Sequence, residues 1–399
     1  MEKSGPRDLA ALGGTPLFDR PRPTSNLVRP DLELFLKYSR VFFDARRYTN
    51  TGPVSVLMEE RFAEFHEVDH CVSFSSGFWG LVLAMRALAL AGKREVVMPS
   101  FTYRRLADAA YWAGLVPHFC EVDAQSLAAT PATVGACVGT GTALLVITHP
   151  IVNCCDAVGL TAFAREIGVP VLFDSVESVY ETVAGRRTGS FGNAEVYSLH
   201  ASKLVNGFEG GYVTTDDAEL ADRLALERGF GFRGQDNVAF FGTNAKLNEV
   251  HAAMALASLE DLDDQVERNR RRYYAYRSAM RKVSGLRLLE FDETETTSFK
   301  NIVVEVLPAW PLSRDETVAV LNAENALARA YYSPPLHAMH ASYETRHDDL
   351  SLTEALAERF MNLPCGHHVS LEDVGSIVDL LAFLEQHGGA ITELLAART

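Results

Sequence analysis

The chain has 399 residues, of which 47% are hydrophobic, and its 37 basic and 52 acidic residues give a formal net charge of -15. This length predicts two or three domains, and the acidic balance argues against a nucleic-acid binder, which usually carries a basic surface. We expect a cytoplasmic protein. No segment resembles a signal peptide or reaches the roughly 20 apolar residues of a membrane span, and the six cysteines form no C-x-x-C pair.

Short apolar runs alternate with helical patterns through the first half of the chain. Strands are predicted at 71–76, 95–100, 116–122, 143–150, 169–174, 194–200 and 210–215. Helices are predicted at 80–92, 160–168 and 217–230, followed by one long helical stretch at 247–284. A strand at 301–308 and helices near 314–325, 352–362 and 371–386 close the chain. The alternation predicts an α/β domain with a mostly parallel seven-stranded sheet, followed by a smaller α+β domain.

Functional side chains of a parallel sheet gather where the strands' carboxyl ends meet the following loops. Here that edge collects "SSGFWG", "PSFTYRR", Asp174, and the segment after "AEVY" that contains Ser198 and Lys203. A lysine at this edge can form a Schiff base with an aldehyde cofactor, and a carboxylate can hold a pyridine nitrogen protonated. Lys203 and Asp174 therefore indicate pyridoxal 5'-phosphate (PLP). The helix that begins near Ser76, Gly77 and Phe78 offers N–H groups for its phosphate, Ser198 a hydroxyl, and Tyr103 a ring to stack on the cofactor. The chain contains no P-loop, no G-x-G-x-x-G after a strand and no zinc motif.

Seven blocks in the right order resemble the DegT/DnrJ/EryC1/StrS family of sugar aminotransferases, which have the fold of aspartate aminotransferase (fold type I). The blocks are "VSFSSGFWGLVLAMRAL", "VVMPSFTYRRLADAAYWAGLVPHFCEVD", "VITHPIVNCCDAVGL", "VLFDSVESV", "GSFGNAEVYSLHASK" with "EGGYVTT", "GTNAKLNEVHAAMALASLEDLD" and "YYSPPLHAMHASY". The resemblance implies an N-terminal arm at 1–25, a PLP-binding large domain at 26–265 and a small C-terminal domain at 266–399.

By this resemblance Lys203 is the Schiff-base lysine and moves a proton, and Asp174 holds the pyridinium. Gly77 and Phe78 donate backbone N–H groups to the phosphate, Ser198 adds its hydroxyl, and Tyr103 covers the ring. Asn244 reaches the phosphate of a neighbouring subunit, which implies a homodimer with shared active sites. Tyr332, His337 and Lys246 are assigned to the substrate pocket. The implied reaction moves an amino group from L-glutamate or L-glutamine to a keto nucleotide-sugar in natural-product or glycan biosynthesis.

Three residues depart from the family pattern. Phe78 replaces a threonine, Glu177 replaces a glutamine that can donate to the cofactor's phenolate oxygen, and Phe208 adds bulk near the lysine loop. An ionised Glu177 cannot donate, so it is either protonated or turned elsewhere. His149 and His200 are read either as buried structural histidines or as site residues. Two alternatives stay open: a PLP-binding regulatory paralogue without turnover, and a PLP enzyme acting on a keto-cyclitol or a modified nucleoside.

Overall fold

The computed structural model describes residues 3–25 and 27–397, so the ends of the predicted arm and small domain at 1 and 399, and the predicted boundary residue 26, lie outside the described residues. The helices are α1 Leu32–Ala45, α2 Pro53–His66, α3 Gly77–Leu88, α4 Leu106–Trp112, α5 Pro131–Gly135, α6 Ala157–Ile167, α7 Ala218–Glu227, α8 Glu249–Glu260, α9 Leu262–Ala279, α10 Arg314–Ala323, α11 Ser351–Ala357 and α12 Leu371–Ala396. The strands are β1 His70–Phe74, β2 Glu95–Pro99, β3 Val116–Cys120, β4 Thr142–Thr148, β5 Val171–Asp174, β6 Thr182–Val183, β7 Arg186–Arg187, β8 Ala194–Ser198, β9 Gly211–Thr215, β10 Leu286–Leu288, β11 Ile302–Val306, β12 Arg329–Ala330, β13 Arg346–His347 and β14 Phe360–Leu363.

The large sheet has the order β1-β9-β8-β5-β4-β2-β3-β13. Strands β8, β5, β4, β2 and β3 run parallel, and β9 pairs antiparallel with both β1 and β8. All seven residues of β4 are buried, as expected for a central strand covered on both faces. The seven predicted strands and the mostly parallel sheet are confirmed. The two-residue strand β13, which pairs with β3, adds an eighth.

The second sheet belongs to the C-terminal part of the chain and is antiparallel, with the order β10-β11-β14-β12. The predicted helix near 352–362 is wrong in its second half, because α11 ends at Ala357 and Phe360–Leu363 forms β14. Pairing with β11 places Phe360, Met361 and Leu363 in the core, and this long-range contact outweighs the local helical pattern.

The long predicted helix at 247–284 is two helices, α8 and α9, which meet at Asp261. Helix α9 runs without a break across the predicted domain boundary at residue 266. The core around β11 and β14 also includes Phe101 and Val122 from the large domain, so the two domains share buried apolar contacts. The predicted boundaries therefore stay predictions.

The described part of the N-terminal arm packs on the small domain. Leu9 and Phe18 are buried in its core. The buried carboxylate of Glu324 accepts hydrogen bonds from the backbone N–H groups of Ala10 and Leu17, both at 2.7 Å, and pairs with Lys3 at 2.9 Å. One acidic side chain thus fixes the path of the arm.

Candidate active site

A cavity of about 560 Å³ lies at the carboxyl ends of the parallel strands, between the two sheets. Nine of the predicted site residues line it: Ser76, Gly77, Phe78, Tyr103, Asp174, Glu177, Ser198, Lys203 and Tyr332. Three predicted residues are not part of its lining: Asn244, Lys246 and His337. The rule that functional residues collect at the carboxyl edge of a parallel sheet therefore describes most of this site.

Helix α3 begins at the cavity wall. Its N-cap, Ser76, has an extended backbone, and its Oγ accepts a hydrogen bond from the N–H of Trp79 at 3.3 Å. Gly77 follows in close contact with β8, since an added Cβ would lie 3.1 Å from both Ser198 Cβ and the Tyr197 carbonyl oxygen. The Gly77 N–H donates to the carbonyl oxygen of Gly210 at 3.1 Å. The predicted phosphate contact of this N–H is therefore not available in this arrangement.

Lys203 lies in the loop that connects β8 to β9, and these two strands pair antiparallel in the sheet. Its backbone N–H donates to the His200 carbonyl oxygen at 2.8 Å. Its Nζ donates to Glu177 Oε1 in a short ion pair. Burial by itself would lower the pKa of Lys203, but the adjacent carboxylates of Glu177 and Asp174 outweigh it and raise that pKa. Without a ligand, Lys203 is an ammonium.

Asp174 ends β5 and is 6% exposed. Its Oδ1 accepts the backbone N–H of Val176 at 3.3 Å. Burial raises its pKa to about 6, although the Val176 hydrogen bond and the charge of Lys203 act in the opposite direction. A carboxylate that is buried in this way is stabilised when a cation lies against it.

Glu177 pairs with two lysines in the cavity wall. Burial alone would raise its pKa, but the ammonium groups of Lys203 and Lys300 lower it to about 2. This pairing argues against the protonated alternative, and the alternative that Glu177 turns away from the cofactor stays a prediction. The Lys300 ammonium lies 3.0 Å from Glu177 Oε2, on a side chain that is 3% exposed.

Sequence reasoning missed Lys300. The residue lies directly before the apolar run of β11, in the other domain and 97 positions after Lys203. The sequence shows only a charged residue just before an apolar strand. Because charged residues are common at strand ends, this pattern does not single out Lys300.

Two further side chains complete the walls. His149 stacks on Phe173 with 5.6 Å between ring centroids, and its Nδ1 accepts the N–H of Cys155 at 3.3 Å. Its Nε2 has no hydrogen-bond partner among the described residues. Burial, and then the charge of Lys300, lower its pKa to about 3, so the ring is neutral. Tyr332 packs against Phe101 at 5.9 Å.

The remaining predicted residues lie elsewhere in this chain. Asn244 is exposed and accepts a hydrogen bond from Lys246 Nζ at 2.6 Å. His337 contacts Ser100 Oγ at 2.7 Å and Glu354 Oε1 at 3.2 Å, so both its ring nitrogens face away from the cavity. The expectation that His337 shapes the pocket finds no support in a single chain.

Phe208 does not crowd the lysine. Its ring is 42% exposed and packs edge-on against Phe35 and His251. His200 lies at the cavity rim, where its Nδ1 contacts Ser202 Oγ at 2.8 Å. The expected bulk near the lysine loop therefore points away from Lys203.

The arrangement can hold an organic cofactor with a carbonyl, a basic ring nitrogen and a phosphate. Lys203 supplies the amine, Asp174 the buried anion, and the start of α3 with Ser198 the phosphate donors. Within the described residues no group of three or more His, Cys, Asp or Glu side chains is placed to hold a metal ion. None of the helices in residues 3–25 and 27–397 is both long and apolar enough to cross a bilayer.

Residues 33–382 match the DegT/DnrJ/EryC1/StrS aminotransferase family. The chain belongs to this family. The aminotransferase is 35% identical to a protein solved as DesI in the presence of its TDP-sugar product, with a TM-score of 0.91 and coverage of 97% of this chain and 98% of that one. It is 26% identical to the dTDP-4-amino-4,6-dideoxy-D-glucose transaminase of Shigella dysenteriae, over 76% of this chain and 83% of the relative. It is 28% identical to the L-glutamine:2-deoxy-scyllo-inosose aminotransferase of Streptomyces paromomycinus, over 97% of this chain and 99% of the relative.

These matches settle the activity class. The chain is a transaminase with the fold expected for it, an α/β large domain with a mostly parallel sheet. In this aminotransferase the ammonium of Lys300 lies beside Glu177 as its counterion.

Proposed function

We propose that this aminotransferase uses PLP, bound to Lys203, to move an amino group from L-glutamate or L-glutamine to the keto group of a nucleotide-linked sugar. The observation that carries the proposal is the joint placement of Lys203, Asp174 and the start of α3 in one cavity. Its volume of about 560 Å³ lies in the range of small-molecule and cofactor sites.

The residues present fit PLP on three counts. Asp174 is a buried carboxylate whose pKa is raised by burial, and a ring cation would relieve that cost. The neutral His149 presents an Nε2 atom without a partner among the described residues. Gly77 brings the start of a twelve-residue helix against Ser198 without space for a side chain, and the N-terminus of a helix favours an anionic group such as phosphate.

When bound, PLP supplies an electron sink that tolerates negative charge on the carbon next to the transferred nitrogen. Asp174 would keep the ring nitrogen protonated, because the ionised carboxylate stabilises the cation. Lys203 would hold the carbonyl carbon through Nζ, with loss of water, and when displaced it would carry a proton between the cofactor carbon and the substrate carbon. Tyr103 would cover the ring, and Tyr332 would limit where a sugar ring can lie.

The acceptor class follows from the relatives. DesI was solved with a TDP-sugar product, and the Shigella relative is a transaminase of a dTDP-linked amino sugar. These two relatives support a keto nucleotide-sugar as the acceptor and a role in natural-product or glycan biosynthesis.

A spectroscopic experiment tests the cofactor. Wild-type protein mixed with PLP should develop the visible absorbance of a lysine-bound cofactor and lose it when L-glutamate is added, whereas Lys203→Ala should show neither change. Lys282→Ala is the matched control, because Lys282 is 44% exposed and pairs with Asp379 on the surface. A visible lysine-bound band in Lys203→Ala would contradict the assignment. Mass spectrometry of products from a panel of keto-sugars then identifies the acceptor.

A keto-cyclitol is the second candidate acceptor, favoured by the relative from Streptomyces paromomycinus, which is named for 2-deoxy-scyllo-inosose. Including that class in the acceptor panel separates the two. The half-reaction with glutamate separates both from a regulatory paralogue, which would bind PLP but leave it unconverted.

We also propose a homodimer with shared sites. Support comes from exposed apolar side chains near Asn244 in sequence: Phe230, Phe232, Val238 and Phe241 are 46–80% exposed. If Asn244 serves the partner's site, a mixture of Lys203→Ala and Asn244→Ala proteins should regain up to about a quarter of wild-type activity, because half the dimers are mixed and each has one intact site. Each variant alone should be inactive or nearly so, and no gain on mixing would refute the sharing.

The free thiols of all six cysteines support a reducing, cytoplasmic compartment.

A further inference from the structure

The Glu177 carboxylate is shared by two lysines that come from different domains. Glu177 follows β5 and Lys203 follows β8 in the large domain, whereas Lys300 precedes β11 in the small domain. One carboxylate oxygen accepts from Lys203 and the other lies 3.0 Å from Lys300. Lysines are rarely this deeply buried unless they are paired, so the contact with Glu177 stabilises Lys300 in the cavity wall.

Two ammonium groups and two carboxylates meet in this part of the cavity wall. Lys203 and Lys300 are cations, and Asp174 and Glu177 are the anions that face them. Burial lowers the pKa of the neighbouring His149 to about 3, and it raises the pKa of the thiols and phenols of Cys154, Tyr331, Tyr332 and Cys365. Three further charged side chains also line the cavity: Arg104, Glu209 and Arg329.

Lys203 has to give up its pairing with Glu177 in order to react. The amine that attacks a carbonyl carbon is uncharged, and it then no longer neutralises Glu177 as an ammonium. If Lys203 were the sole partner, Glu177 would be left as a partly buried, unpaired anion that takes up a proton. Lys300 remains beside it and is not consumed.

We propose that Lys300 is a positioning residue of the active site, whose buried ammonium keeps Glu177 ionised and in place beside the reacting nitrogen of Lys203. The inference rests on the proposed function. The cavity therefore presents an ion pair, Glu177–Lys300, where the family resemblance implies an uncharged amide.

The pH titration of the visible absorbance of lysine-bound PLP tests this role, because the midpoint reports the protonation of the Lys203 nitrogen. Glu177→Gln removes the carboxylate beside Lys203 and Lys300 and should lower the midpoint by about one pH unit or more. Lys300→Met removes the cation that shares Glu177 with Lys203 and should raise the midpoint. The double variant removes both charges and should titrate within about half a unit of wild type. Lys300→Arg keeps the charge and should also stay near wild type.

Lys282→Met is the matched control, since its surface ion pair with Asp379 is far more exposed, and its midpoint should equal that of wild type. Identical midpoints for Lys300→Met and wild type would refute the positioning role. If Lys300→Met does not fold, the double variant of Glu177→Gln and Lys300→Met provides the test. A midpoint of this double variant equal to that of Glu177→Gln would also refute the positioning role.

The unloaded protein gives a second readout that does not depend on PLP. Each single variant should lower the temperature of thermal unfolding, and the double variant should recover most of the loss. If wild-type protein never develops the visible band, the proposed function fails while this thermal comparison still decides whether the pair is coupled. Additive losses in the thermal comparison would overturn the inference.

Discussion

A methyl group added at Gly77 tests whether the start of α3 is as tightly packed as the cavity requires. The new Cβ would lie 3.1 Å from Ser198 Cβ and from the Tyr197 carbonyl oxygen, and 3.2 Å from Ser198 Cα. Ordinary contacts begin at 3.4 Å, so the helix and β8 must separate by a few tenths of an ångström. Two of these three atoms are backbone of a strand whose first four residues are buried, and a rotamer change cannot relieve them.

We expect Gly77→Ala to cost about 1–3 kcal/mol, the usual penalty for overpacking, and to lower the thermal unfolding temperature by a few degrees. The same shift moves the N–H groups of α3 relative to Ser198, so the Kd of PLP should rise at least about tenfold, which corresponds to 1.4 kcal/mol. Thermal unfolding of the unloaded protein and a PLP titration measure the two effects separately.

Gly375→Ala is the matched control. Gly375 lies inside α12, and an added Cβ there meets nothing within 4 Å. Alanine is favoured over glycine in a helix by about 1 kcal/mol, so this variant should be more stable than wild type and bind PLP equally well. A Gly77→Ala protein as stable as Gly375→Ala would refute the tight contact at the start of α3.

Three further predictions concern stability and reactivity. The pKa of Asp174 is raised from 3.8 to about 6, so its protonated carboxyl stabilises the fold fully below pH 3.8, and this stabilisation is lost as the pH rises through 6. The free energy of unfolding of the unloaded protein, measured at several pH values, should therefore fall by about 3 kcal/mol less in Asp174→Asn than in wild type across this window. Glu324→Ala should cost about 3 kcal/mol or more, since it leaves two part-buried N–H groups of the arm without their acceptor. The exposed Glu60→Ala should change stability by less than about 0.5 kcal/mol; equal losses in urea unfolding would refute the role of Glu324. Burial raises the pKa of all six cysteine thiols, so a thiol reagent at neutral pH should label native protein slowly and urea-unfolded protein fully; fast native labelling would contradict this.

The arrangement of the large sheet could be predicted because each of its strands is a short apolar run between turn or helix signals. The position of Lys203 and Asp174 at one edge followed from the same pattern, since parallel strands end together. The predicted helix at 352–362 failed because pairing between β14 and β11 joins segments about 60 residues apart, and no local pattern records such a contact.

By itself the sequence determined the order of most elements, the family and the placement of Lys203 and Asp174 at one edge of the sheet, because strand periodicity and the lysine block are local features. Only the tertiary structure decided the ionisation of Glu177, the direction of Phe208 and the engagement of the Gly77 N–H with Gly210. These properties depend on burial and on neighbours from distant segments, and Lys300 shows this most clearly. Its ammonium reaches Glu177 across 123 positions of chain, because the small domain closes over the edge of the large sheet.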